Sequence, residues 1–202
     1  VETRLKFSGA QIFDEFLPDP QGIRQSALRS GFGSWRPNKG DVGLDSYAGM
    51  NFWGEHSAMI RGLYSKLGPI FPNSMFFRVT NPTTDKALVH SDRATGSHTA
   101  LVYFGPEHAG SGTGFYRHRE TGMTEMPALE DLMKDKPFFE RIYSQMLDAS
   151  EDHWELYDFV EAKLNRCVVF DAPKFHCRLP KDGYGTDDAS SRMVWACHFH
   201  RA

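Results

Sequence analysis

Two hydrophobic periodicities alternate along this chain. From Ser46 to Leu67, apolar residues fall at helical spacing (Met50, Trp53, Ala58, Ile60, Leu63 and Tyr64), which predicts one helix weakened at Gly54 and ended by Gly68-Pro69. Residues 127–147 repeat the pattern through Leu129, Leu132, Met133, Phe138, Phe139, Ile142, Tyr143 and Met146, with Pro137 splitting the run. Between and after these stretches the period drops to two. Strands are expected over Ser74 to Thr80, His98 to Phe104, Gly114 to His118, Cys167 to Phe170 and Arg192 to His200, with Trp154 to Ala162 read as a further strand. Residues 8–46, rich in Gly, Pro, Ser and Asp, read as loops with short turns of helix. Short strands with long inserts predict a β-rich α+β domain: a double-stranded β-helix (a jelly roll, cupin-like) with flanking helices. The 202 residues suit a single domain, with loops and a supporting helix over 1–73, the barrel over 74–200, and the helical insert at 127–147.

Composition narrows the function classes. A formal net charge of -3 provides no basic field for nucleic acid. No segment is apolar for long enough to span a membrane, and the stretch Val1 to Phe7 has no apolar signal core. The three cysteines, Cys167, Cys177 and Cys197, are odd in number and form no CxxC pair, so reduced, buried thiols in a cytoplasmic protein are expected.

The chemistry concentrates in Val89-His90-Ser91-Asp92. On extended backbone, alternate residues point to one side, so His90 and Asp92 can face one metal ion. Two imidazoles and one carboxylate on one face of a first-row metal leave open positions for substrate and O2. An HxD alone is common in solvated turns, so a third ligand from a distant strand is needed. His176 is preferred over His98, His108, His118, His153, His198 and His200, because it follows a separate strand after a turn-rich connection. In the strand Arg192 to Phe199, alternation puts Arg192, Val194, Ala196 and His198 on one face and Met193, Trp195, Cys197 and Phe199 on the other. If the second face packs on helices, Arg192 points inward, and a buried guanidinium calls for a carboxylate.

In this order, His90-Ser91-Asp92, the strand His98 to Phe104, the Gly-rich turn Gly110-Ser111-Gly112-Thr113-Gly114-Phe115, Asn165 to Phe170, His176 and Arg192 resemble the 2-oxoglutarate/Fe(II) dioxygenase superfamily, nearest its prolyl hydroxylase-like branch and its uncharacterised bacterial and phage members. The resemblance implies Fe(II) on His90, Asp92 and His176, and 2-oxoglutarate held by Arg192 with help from Thr113, Tyr103 and Thr99. It further implies O2 as co-substrate, ascorbate as a candidate reductant, and oxidation of a small-molecule or peptide substrate with release of succinate and CO2. The presence of Asp92 argues against the related halogenases, in which that carboxylate is absent. His198 and Arg93 are candidates for the substrate side, His198 roughly 20 Å along the strand from Arg192 at about 3.3 Å per residue, near a mouth of the barrel. Arg192 follows His176 at a longer interval than is common in the family, the loop Lys181 to Asp188 supplying the extra length. The insert is a candidate cap for the pocket or contact for a homodimer. Two rival functions remain: a cupin-like metal-binding protein without oxidative activity, and another metal-dependent enzyme, such as an isomerase, on the same barrel.

Overall fold

The runs richest in β-branched and aromatic residues become the middle of a sheet. The computed structural model describes residues 4–5, 8–35, 46–49, 53–83, 87–148 and 150–202. Eight strands, β1 (Arg4–Leu5), β2 (Gln11–Phe13), β3 (Gly33–Trp35), β4 (Ser46–Gly49), β5 (Ile70–Thr80), β6 (His98–Tyr103), β9 (Cys167–Asp171) and β11 (Arg192–Arg201), form an antiparallel sheet in the order β1-β2-β9-β6-β11-β5-β4-β3. A smaller antiparallel sheet has the order β10-β7-β8, from β10 (His176–Leu179), β7 (Gly112–His118) and β8 (Trp154–Glu161).

Alternation along β11 sorts the layers as the sequence predicts. Met193, Trp195 and Cys197 pack outward with Ala27 of helix α1 (Pro20–Ser30) and with Met59 and Leu63 of α2 (Trp53–Leu67). Val194 faces inward, joining Tyr103, Val168 and Phe170 of the large sheet to Phe115 and Val160 of the small one. On the far side of the small sheet, Tyr116, Trp154 and Cys177 pack against Leu132 and Ile142 of helices α3 (Leu129–Lys134) and α4 (Lys136–Leu147). The result is helix, sheet, sheet and helix in layers, a double-stranded β-helix with its interior between the two sheets. Each buried aliphatic or aromatic side chain contributes about 1.5–3 kcal/mol. A one-residue slip of β11 would turn Met193, Trp195 and Cys197 inward and Arg192 out, so its register is strongly specified. None of the described helices is long and apolar enough to cross a membrane.

Several boundaries differ from expectation. The stretch 8–46 holds an eleven-residue helix, α1, because Asp19 caps it by accepting the Gly22 amide at 2.8 Å and Pro20 sits where its missing N–H costs nothing. The helix expected from Ser46 begins only at Trp53; Ser46–Gly49 pairs with β5, and residues 50–52, with Met50, lie outside the described residues. The strand expected from Ser74 begins at Ile70, since β11 pairs along β5 from Ile70 to Thr80. The insert breaks at Asp135, whose carboxylate accepts the Phe138 amide at 3.1 Å, and Pro137 sits in the first turn of α4. The buried side of the insert lies on the outer face of the small sheet, so it does not cap the interior. All three cysteines are free and buried.

Candidate metal centre

The segment leading to His90 runs beside β10, and His90 and His176 exchange both backbone hydrogen bonds, at 3.0 and 2.9 Å. That pairing sets their rings side by side, with centroids 4.3 Å apart. Two residues on, the Asp92 amide donates to the Ala172 carbonyl at 2.8 Å, while the Asp92 carbonyl accepts from the Thr95 amide at 2.8 Å and the Thr95 hydroxyl at 2.7 Å. The turn then docks on β11 through Ser97 N–H to the Phe199 carbonyl at 3.0 Å. Gly96 makes this approach: a Cβ there would lie 2.8 Å from the Phe199 carbonyl oxygen and 2.9 Å from its nitrogen.

Each ligand imidazole has its far nitrogen tied off. His90 Nδ1 faces the Leu88 carbonyl at 2.8 Å, and His176 Nδ1 faces the Lys174 carbonyl at 2.9 Å. A carbonyl can only accept, so both Nδ1 atoms carry a proton, and in the neutral rings both Nε2 atoms present lone pairs. His176 Nε2 lies 3.3 Å from Asp92 Oδ2, and His90 Nε2 lies 3.7 Å from Asp92 Oδ1. One ligand atom from each of the three lies within 4.8 Å of the others. Donors about 2.1 Å from a shared metal and at right angles would sit about 3 Å apart, so the cluster is nearly at ligating distance.

In the metal-free cluster the electrostatics separate the two imidazoles. Burial, helped by the charge of His176, lowers His90 to about 4, which keeps it neutral and able to ligate. Burial works to raise Asp92, but the charge of His176 and hydrogen bonds from His176 and His198 outweigh it and hold the carboxyl well below its usual range. For His176, burial acts to lower the value and Asp92 more than offsets it, leaving it raised.

The other residues singled out from the sequence divide between two places. Arg192 is 4% exposed, makes no hydrogen bond or ion pair among the described residues, and has a buried Nε without a partner. Its guanidinium carbon lies 5.8 Å from the Tyr103 ring centroid, and the Tyr103 and Thr113 hydroxyls meet at 2.7 Å, so these three do come together. Opposite Arg192, Thr80 presents a buried hydroxyl that also has no partner. Burial lowers the Arg192 pKa and raises that of Tyr103. Thr99, expected beside the cosubstrate, instead donates to Asp92 Oδ2 at 2.8 Å, which commits its one proton. His198, expected near a mouth of the barrel, lies with Nε2 3.3 Å from the same oxygen, because the turn after Asp92 folds back onto that end of β11. Arg93 turns its Nε to the Met126 carbonyl at 2.8 Å and lines a surface cavity of about 470 Å³ with His98, Asp171 and His200.

Sequence reasoning missed Arg178, which is buried on the same face of β10 as His176 and opposite Thr113. The two-residue spacing from His176 was the available signal. It also missed Ser74, whose hydroxyl meets His198 Nδ1 at 2.6 Å. Two imidazoles and a carboxylate fit a divalent first-row metal. The unpartnered Arg192 and Thr80 groups fit a carboxylate-bearing ligand.

Among solved structures, the chain resembles SnoK, a non-haem α-ketoglutarate-dependent carbocyclase from nogalamycin biosynthesis, with TM-score 0.55, 16% identity, and coverage of 95% of this chain and 79% of that one. It resembles HygX from Streptomyces hygroscopicus, solved with nickel and 2-oxoglutarate bound, with TM-score 0.56, 11% identity, and coverage of 95% and 82%. AviO1 from Streptomyces viridochromogenes Tue57 is similar at TM-score 0.52 and 12% identity, over 95% and 89%. At these identities the likeness establishes the fold, that of Fe/2-oxoglutarate-dependent enzymes. None of the curated proteins matches the sequence. A family model matches residues 8–197, and the chain thereby belongs to the family of unknown function DUF6445.

Proposed function

We propose that this chain is a non-haem Fe(II)- and 2-oxoglutarate-dependent dioxygenase of the hydroxylase type, acting on a small-molecule or peptide substrate. The observation that carries the proposal is the convergence of His90 Nε2, His176 Nε2 and the Asp92 carboxylate, with both Nδ1 atoms tied to carbonyls. Iron bound there would supply O2 activation, coupled to decarboxylation of the oxo acid to succinate and CO2, with ascorbate as a reductant that keeps the iron ferrous. The chain's residues bind, orient and exclude water. Arg192 takes the distal carboxylate of the oxo acid through its planar fork, with the Thr80 hydroxyl beside it and Tyr103 and Thr113 lining the slot. Phe115, Phe170 and Val194 wall the interior with apolar surface, and in such a medium each fixed charge acts more strongly on the ligand. The prolyl hydroxylase-like placement rests on the sequence resemblance alone.

A cupin-like metal-binding protein would share the triad. It would leave a buried guanidinium with no anion to balance it, at a cost of several kcal/mol. The deciding experiment incubates the metal-stripped protein with Fe(II), ascorbate and 2-oxoglutarate in air and measures succinate. Succinate above the iron-free control, absent in Asp92→Ala, is the expected result. No succinate, together with no binding of 2-oxoglutarate to the Ni(II) form, would end the proposal.

A further inference from the structure

One rung of the large sheet runs straight into the candidate metal centre. His198 on β11 lies directly opposite Ser74 on β5 and opposite Thr99 on β6. Residues paired across antiparallel strands put their side chains on the same face, so Ser74, His198 and Thr99 form a row pointing inward. The row ends on one atom, Asp92 Oδ2, which also lies 3.3 Å from His176 Nε2. Thr99 Oγ1 donates to Asp92 Oδ2 at 2.8 Å, and His198 Nε2 lies 3.3 Å from that oxygen. At the other side of the imidazole, Ser74 Oγ is 2.6 Å from Nδ1. With Nε2–H donated to the carboxylate, Nδ1 must accept, and the serine hydroxyl is the group that donates to it.

The backbone holds this row against the carboxylate. The pairing of β11 with β5 shifts by a residue between His198 and Phe199. At that irregularity the turn carrying Asp92 attaches, through Ser97 N–H to the Phe199 carbonyl and the close approach at Gly96. His198 is 8% exposed and its ring also lies 6.0 Å from that of Phe76, so it has little room to swing away.

We infer that His198, oriented by Ser74, is a positioning residue that with Thr99 occupies Asp92 Oδ2 and so leaves Oδ1 as the single carboxylate oxygen offered to the metal. The inference rests on the metal-site proposal above. A carboxylate that binds through one oxygen takes up one coordination position and keeps another free for a ligand, whereas an unrestrained carboxylate can rotate and bind through both. The Ser74–His198 pair thereby sets how many positions remain open, without itself touching the metal. Partners that hold a ligating side chain typically contribute about 10–100-fold in metal affinity.

The test uses Co(II) as probe, titrated anaerobically into the full metal-stripped chain, with affinity from calorimetry and coordination number from the visible d–d spectrum. His198→Leu removes the donor. His198→Gln keeps an N–H at about the reach of Nε2. Ser74→Ala removes only the orienting hydroxyl, and far-ultraviolet circular dichroism checks that each variant is folded. The expected result is a loss of about 10–100-fold for His198→Leu with a changed d–d band, substantial rescue of both in His198→Gln, and a loss of a few-fold for Ser74→Ala. A His198→Gln variant as impaired as His198→Leu would overturn the inference in favour of direct ligation by the imidazole. Wild-type affinity and spectrum in His198→Leu would overturn it in favour of a spectator. Failure of the wild-type chain to bind Co(II) at all would instead remove the metal site on which the inference depends, so the two failures are distinguishable.

Discussion

The two ends of the barrel interior treat their polar groups in opposite ways. At the His90 end the ligand groups are held by the protein: both ligand imidazoles are tied through Nδ1 to carbonyls, and Asp92 Oδ2 receives Thr99 and His198. At the Arg192 end, a guanidinium nitrogen and the Thr80 hydroxyl are buried with no partner. A buried donor left unsatisfied costs roughly 1–3 kcal/mol, and more when charged, so the chain carries a strain at one end that it avoids at the other. The difference is what the proposed function requires of the two ends. Ligands to a small cation must be held in place before it arrives. A slot for a carboxylate must instead keep its donors uncommitted.

That contrast can be broken at several points. The largest effect is expected from Asp92→Ala or His176→Ala, which should weaken Co(II) or Fe(II) binding by more than the ~100-fold reached by outer-shell changes, as measured by calorimetry. Retained affinity would mean that the prepared end holds no metal. Next, Arg192→Met should weaken 2-oxoglutarate binding to the Ni(II) form by about 2–3 kcal/mol, or roughly 30–150-fold, with metal affinity unchanged. The same substitution removes a buried, unpaired cation, so it should raise the melting temperature of the ligand-free protein. A fall in both would show that Arg192 is structural. Thr99→Val should cost about 10-fold in metal affinity and leave oxo-acid binding to the metal-saturated form nearly unaltered, the reverse of Arg192→Met.

The smallest effect is a control away from both ends. His118, buried under α4, meets the Thr121 hydroxyl at 2.9 Å and Gln145 Oε1 at 2.9 Å, and burial lowers its pKa. Its folded-state pKa is depressed, so the native chain resists a proton that the unfolded chain accepts near pH 6.5. Stability from this group is full above that pH and is lost as pH falls toward the lower folded value. Thermal melts from pH 7.5 to 5 should therefore show a flatter decline in His118→Gln than in the parent chain.

Much of the architecture was legible because it depends on period. The two faces of Arg192 to Phe199 and the split helices of the insert follow from alternation and from apolar spacing, which tertiary context did not override. The convergence of His90, Asp92 and His176 was legible in residue type and spacing. The places of His198 and Thr99 were not. Distance along β11 says nothing about where the turn after Asp92 folds back, and that turn decides which strand residue meets the carboxylate. Helix α1 hid because Gly22, Gln25 and Ser26 read as loop, although Asp19-Pro20 carried a start signal. Strand β4 hid because its four residues gain their structure from pairing with β5 rather than from a pattern of their own.

The contact at Gly96 also bears on how the chain could be redesigned. The turn from Asp92 to Ser97 is pinned to β11 and to Ala172 by main-chain bonds, with the Thr95 hydroxyl closing it internally, while Ala94 is exposed. Anchorage through backbone is indifferent to the identity of outward side chains. Ala94 can therefore be varied in libraries, and Arg93 with it at the loss of one hydrogen bond to Met126, while Gly96 has to be left alone.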